Sequence, residues 1–150
     1  MGAVSLRTRA IRLLARREYA CSELQQKLIA KGAAPGEVRL LLDELIAQGL
    51  LSDARYARAK VVSKSGSFGR RRIAEELRAK GVARTDIQTA LSEADLDDET
   101  TLRALWQRRF GRAPVDERDK ARQVRFLQAR GFGVSAILRL LQDSAKRGAG

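Results

Sequence analysis

Leu28-Ile29-Ala30-Lys31-Gly32 returns as Leu77-Arg78-Ala79-Lys80-Gly81 and again as Leu127-Gln128-Ala129-Arg130-Gly131. Each copy is followed, six residues past its glycine, by an aliphatic residue: Val38, Ile87 or Ile137. A fixed period of about 50 residues in a chain of 150 means stacked copies of one supersecondary unit, an arrangement that makes binding surfaces more often than reaction vessels. The first two copies align without a gap at an offset of 49, carrying Ala10, Leu13, Tyr19, Leu24, Leu28, Val38 and Leu42 onto Ala59, Val62, Phe68, Ile73, Leu77, Ile87 and Leu91. The third follows at an offset of 50 in its second half, and its first half has drifted.

Within each copy the apolar residues recur at helical spacing. Val38, Leu41, Leu42, Leu45 and Ile46 form one stripe, Ile87, Ala90, Leu91 and Ala94 the next, and Ile137, Leu140 and Leu141 the third. No strand-period alternation is long enough for a sheet, so the fold class is all-α. Ser22 with Gln25 reads as an N-cap and capping box, Gly32 and Gly49 as C-terminal stops, and Pro35 as a first-turn proline. These signals predict three helices in the first copy, at about residues 5–18, 22–31 and 35–48. Ser52 is the expected N-cap of the second copy, with Leu51 and Tyr56 placed for a hydrophobic staple. The domain reading is three three-helix repeats, 1–50, 51–96 and 97–150, the last including the C-terminal tail. A unit of that size with one or two aromatics buries little by itself, so the copies are expected to pack on one another.

Glu93, Asp95, Asp97, Asp98 and Glu99 crowd the junction of copies two and three. Acidic residues at a helix start, favoured by its dipole, explain them better than a metal site does. Tyr19 and Phe68 occupy equivalent places and are expected to plug the same hole between helices, and Trp106 with Leu102, Leu105 and Phe110 reads as a core stripe. Gly66-Ser67-Phe68-Gly69-Arg70 lacks the ending of a phosphate loop and the strand before it, and reads as a flexible inter-helix turn. The single Cys21 cannot form an internal disulfide, and without any histidine it has no usual base partner, so an inert thiol is expected. With no leader and no apolar run of membrane length, a cytoplasmic protein is expected. No nucleophile, base and orienting group can be assembled; the expectation is no enzyme and no cofactor.

Thirty Lys and Arg against eighteen Asp and Glu leave a net charge of +12, which points to polyanionic partners. Residues 54–74 hold seven bases and no carboxylate, and residues 120–142 hold five with none. The candidate partner-facing charges are Lys64, Arg70, Arg71, Arg72, Arg108, Arg109, Arg112, Arg122, Arg125 and Arg130.

Arg16-Arg17-Glu18-Tyr19, Glu23-Leu24 and Lys27-Leu28 before Lys31-Gly32, then Gly49-Leu50-Leu51-Ser52-Asp53-Ala54-Arg55-Tyr56-Ala57, resemble the RecX family of recombination regulators. So do Gly69 with Arg72-Ile73, Glu76-Leu77 and Lys80-Gly81-Val82, and Arg125-Phe126-Leu127 with Arg130-Gly131-Phe132. The resemblance runs from about residue 5 to residue 145, and Ala59-Lys60-Val61 departs from it where relatives often place an aromatic. It implies three tandem three-helix repeats in an elongated, curved molecule. It also implies binding to the RecA recombinase and its filament on DNA, with restraint of ATP hydrolysis, strand exchange and co-protease activity. Weak, non-specific DNA contact and a monomeric state are expected alongside. A helix-turn-helix transcriptional regulator is the competing reading. It asks for base-reading residues at the start of each third helix, whereas Gly36-Glu37-Val38-Arg39-Leu40 and Ser135-Ala136-Ile137-Leu138-Arg139 are largely apolar.

Overall fold

A computed structural model describes residues 4–148. The outer ends of the first and third repeats as read from the sequence, residues 1–3 and 149–150, lie outside the described residues. Among the described residues there are nine α-helices and no strand. They are α1 (Leu6–Arg16), α2 (Cys21–Ala30), α3 (Pro35–Ala47), α4 (Asp53–Lys64), α5 (Arg70–Ala79), α6 (Arg84–Glu93), α7 (Asp98–Arg109), α8 (Glu117–Ala129) and α9 (Val134–Gly148).

The punctuation is mostly where the sequence puts it. Pro35 opens α3, Asp97 caps α7 by accepting from Glu99 N, and Ser52 Oγ accepts from Arg55 N at 3.2 Å. Gly32, Gly49, Gly81 and Gly131 all stand at positive φ just past a helix end, where a side chain would be strained. The expected cap at Ser22 is displaced. α2 begins one residue earlier, with Ala20 as its N-cap and Glu23 Oε1 accepting from Ala20 N at 3.2 Å. The Ser22 hydroxyl instead donates to the Lys80 carbonyl.

The chain forms two compact units. One comprises the described residues up to Lys60 together with Leu77–Ala90; the other comprises Val61–Glu76 with the described residues from Leu91 onward. The second repeat is thus shared, and α4 and α5 contribute to both units. In the first unit α1, α2 and α3 bury Ala10, Tyr19, Leu24, Leu28, Val38, Leu41, Leu42, Leu45 and Leu51 as one cluster. Ile46, expected on that stripe, is exposed. In the second, α7, α8 and α9 bury Leu102, Leu105, Trp106, Leu127, Phe132, Ile137, Leu140 and Leu141. At about 1.5–3 kcal/mol per fully buried large apolar side chain, these clusters are the main source of stability.

The gapless offset of 49 holds for α2 onto α5 and for α3 onto α6 but not for the first helices. Asp53 precedes Arg70 by two residues more than Leu6 precedes Cys21. Ala59 and Val62, aligned by sequence with Ala10 and Leu13, are therefore exposed, while Ala57 and Val61 are buried in their stead.

Candidate nucleoprotein-binding surface

Two carboxylates tie each repeat to the one before it. Asp53, the first residue of α4, accepts from Cys21 N at the start of α2 at 2.7 Å; Asp98, the first residue of α7, accepts from Arg70 N at the start of α5 at 3.2 Å. The crowded carboxylates of residues 93–99 are thereby explained in part: Asp97 caps its own helix, and Asp98 caps α5. What the two positions share is the helix-start N–H they satisfy, which has no partner within its own helix.

The same helix starts receive the turn that gave the repeat its signature. In the second unit Gly69 N donates to Arg130 O at 2.7 Å, and the Arg72 guanidinium donates to Ala129 O at 2.8 Å. A Cβ on Gly69 would meet Gly131 O at 2.5 Å, so glycine is the residue that fits. The Gly66–Arg70 turn is therefore pinned rather than a loose linker. Its Gly66 and Ser67 carbonyls accept from Arg108 and Arg130, each at 3.3 Å.

All ten candidate cations fall in the second unit. Three half-buried phenylalanines draw five of them together. Lys64 Nζ, the Arg130 guanidinium and the Arg72 guanidinium stand 4.8, 4.9 and 5.5 Å from the Phe68 ring centre. Arg130 and Arg109 both stand 5.1 Å from Phe126. Phe126 meets Phe110 edge to face at 5.6 Å, and Phe110 carries Arg109 at 5.9 Å and Arg122 at 5.4 Å. Rings and cations thus alternate without a break from Lys64 to Arg122, each pair within the range of cation–π attraction.

The other five have separate settings. Arg70 is half-buried and reaches the Leu91 and Leu96 carbonyls at 3.4 Å, so its charge serves the fold. Arg108 holds the Gly66 carbonyl. Arg71 is exposed and 3.9 Å from Glu75, and Arg125 is exposed on α8. Arg112 borders a groove of about 980 Å³ lined also by Arg103, Trp106, Leu140, Asp143 and Arg147. That groove carries three arginines against Asp97, Glu99 and Asp143, so its charge does not favour an anion.

Two carboxylates neutralise the ladder locally. Glu76 lies 3.1 Å from Arg72, and Asp119 lies 2.8 Å from Arg122. The hydrogen bond from Arg122, with help from Val115 N, holds the Asp119 carboxyl below its ordinary range. Lys64, Arg109 and Arg130 keep only rings or carbonyls among the contacts described for them. Cations seated on rings have already given up much of their rotamer freedom, which lowers the entropy lost when they bind an anion such as a phosphate.

Phe110, Phe126 and Phe68, the rings on which these cations sit, are absent from the candidate set drawn from charge alone. Phe110 borders the core instead of lying within it, and Phe68 is half-buried whereas its counterpart Tyr19 is 4 % exposed. What the pair shares is a cation clamp, since Arg17 and Lys27 flank Tyr19 at 3.6 and 5.5 Å. Adjacency in sequence finds only Arg109-Phe110; Arg125 beside Phe126 and Arg70 near Phe68 are not the cations that sit on those rings. Cys21 is half-buried, and burial, followed by Asp53 and Asp43, pushes its thiol up, away from a reactive thiolate. No described helix is long and apolar enough to cross a membrane.

Comparison with known proteins covers nearly the whole chain. The family descriptions "RecX, first three-helix domain", "RecX, second three-helix domain" and "RecX, third three-helix domain" match residues 7–45, 52–91 and 97–141. The chain is 45% identical over 140 residues to the "Regulatory protein RecX" of Pseudomonas fluorescens, covering 92% of this chain and 90% of the relative. It is 43% identical over 141 residues to that of Chromobacterium violaceum, covering 94% and 91%. A crystal structure of regulatory protein RecX superposes with a TM-score of 0.73 at 22% identity over 92% of this chain and 70% of the other. That of RecX from Lactobacillus salivarius gives 0.69 at 19% identity over 93% and 94%.

Proposed function

This chain belongs to the RecX family, and from that premise we propose that it is a non-enzymatic regulator that binds the RecA recombinase and its filament on DNA. Binding inhibits ATP hydrolysis, strand exchange and co-protease activity. The protein works in the cytoplasm as a monomer without a cofactor, and its direct contact with DNA is weak and non-specific.

The observation that carries the reading is the unbroken alternation of Phe68, Phe126 and Phe110 with Lys64, Arg72, Arg130, Arg109 and Arg122. A nucleoprotein filament presents acidic protein together with DNA phosphates, and preorganised cations meet both. Phosphate contacts of this kind position a protein and need no base readout. Arg70 and Arg108 hold backbone carbonyls within the same unit.

DNA-dependent ATP hydrolysis by the cognate RecA, measured with and without the protein across a salt series, tests the reading. Inhibition well below one protein per recombinase subunit supports it. Tight binding to one DNA sequence with unchanged turnover would instead establish the transcriptional regulator. Lys64→Glu with Arg109→Glu is the cleaner charge reversal, because reversing Arg70 or Arg72 would also break hydrogen bonds within the fold.

A further inference from the structure

The turn that closes the middle helix of each repeat has one hydrogen-bonded form. Lys31, Gly32 and Ala33 donate to Leu28, Ile29 and Leu28; Lys80, Gly81 and Val82 donate to Leu77, Arg78 and Leu77; Arg130, Gly131 and Phe132 donate to Leu127, Gln128 and Leu127. In the second and third copies this turn is docked on a helix start. The Lys80 carbonyl takes the Ser22 hydroxyl, and a Cβ on Gly81 would lie 3.3 Å from Ser22 Oγ. The Arg130 carbonyl takes Gly69 N–H, and a Cβ on Gly131 would lie 2.8 Å from Arg72 N.

The turn of the first copy stands open among the described residues. Ala30, Lys31 and Gly32 are exposed, and a Cβ on Gly32, at φ +101°, would meet nothing within 4 Å. The surface is nevertheless preformed, since its backbone hydrogen bonds are those of the two docked copies. Outward carbonyls at a helix C-terminus attract donors and positive charge.

We propose that the Ala30–Gly32 turn is a docking surface for the first turn of an α-helix on a protein partner. The fitting helix carries glycine or serine at its start and brings an N–H or hydroxyl donor to the Lys31 carbonyl, as Gly69 and Ser22 do to Arg130 and Lys80 within the chain, or a guanidinium to the Ala30 carbonyl, as Arg72 does to Ala129. A small residue is needed because a Cβ on Gly69 would meet Gly131 O at 2.5 Å, and at the other docking Ser22 itself fills the space beside Gly81. The inference rests on the reading above insofar as the recombinase is taken as that partner.

The test compares inhibition of DNA-dependent RecA ATP hydrolysis by wild type, Gly32→Asn and Gly49→Asn. Asparagine tolerates positive φ better than other side chains. Gly49 has φ +75° with equally open surroundings, so it reports backbone strain without touching the docking turn. The expected result is a drop in potency of about tenfold or more for Gly32→Asn, the size of one central interface residue, and no drop for Gly49→Asn. Equal potency of Gly32→Asn and wild type overturns the inference and leaves the recombinase reading intact, as does an equal drop in both variants. Wild type that neither binds nor inhibits overturns the recombinase reading and this inference with it. Should Gly32→Asn fail to fold, Lys31→Cys in a Cys21→Ser background, with and without a bulky maleimide, gives the same contrast: inhibition that survives the label sinks the proposal.

Discussion

At Gly131 two penalties for a side chain coincide, whereas at Gly32 there is one. Both glycines have φ near +100°, but the Gly131 Cβ would run into the Arg72 backbone and the Gly32 Cβ would not. Gly32→Ala is expected to cost about 1–2 kcal/mol from left-handed strain. Gly131→Ala adds about 1–3 kcal/mol of overpacking, and urea unfolding of the two variants reads the difference. The buried pair of Trp106 and Gln123 makes a second residue-scale case. Gln123, 1 % exposed, takes the place that Leu24 and Ile73 hold in the other repeats and accepts from Trp106 Nε1 at 2.9 Å. Gln123→Leu restores the apolar pattern yet strands the indole N–H, for an expected destabilisation of about 1–3 kcal/mol. The double variant with Trp106→Phe should recover part of that stability, which a double-mutant cycle measures.

At the scale of the helix, the starts of α2 and α5 are completed by carboxylates far along the chain. Asp53→Ala and Asp98→Ala are each expected to lower stability by about 0.5–2 kcal/mol, as removal of an N-cap acceptor does, and thermal unfolding checks it. Asparagine at either place should retain most of the effect. The start of α2 is also acid-sensitive through Glu23. Burial works against its charge, but the hydrogen bonds from Arg17 and Ala20 N, with the charges of Arg17 and Lys80, outweigh burial and hold its carboxyl below the ordinary 4.5. A depressed folded value means that the stabilisation is present above the unfolded value and disappears as pH falls through the folded one. Glu23→Gln is therefore expected to flatten the acid limb of stability, seen in denaturation midpoints from about pH 6 down to pH 3. Ser22 with Gln25 satisfies the local capping rule as well as Ala20 with Glu23 satisfies the geometry, so neighbouring residues do not choose between them. The choice depends on the Lys80 carbonyl, which takes the Ser22 hydroxyl and which local sequence does not bring near.

Across the whole molecule, charge counted along the chain and charge counted by compact unit give different maps. By thirds of the sequence the excess rises to +7 at residues 99–150. By unit it is fourteen bases against seven acids in the first and sixteen against eleven in the second. Net charge therefore does not single out the ladder; the seating of cations on rings does. If Lys64 and Arg109 touch phosphate, the Lys64→Glu, Arg109→Glu variant should lower the log–log salt slope of DNA-dependent inhibition by about 0.9 for each phosphate no longer neutralised on duplex DNA. An unchanged slope would assign those two charges to acidic protein instead. Of the ten cations named from composition, five meet in the ladder and Arg70 and Arg108 work within the fold, a distinction that depends on what lies opposite each side chain.

Helix number, the ends of most helices, the repeat and the basic character were all determined by the sequence itself. Glycine stops, the proline at the start of α3 and apolar periodicity act over a few residues, and repetition makes the glycine after the middle helix and the apolar stripe visible three times. The tertiary structure alone decided the slip of the first helices between copies one and two, the carboxylates that complete distant helix starts, and the phenylalanines that gather the arginines. Those features join residues tens of positions apart, where partner and distance follow from packing and leave no periodic trace in the chain.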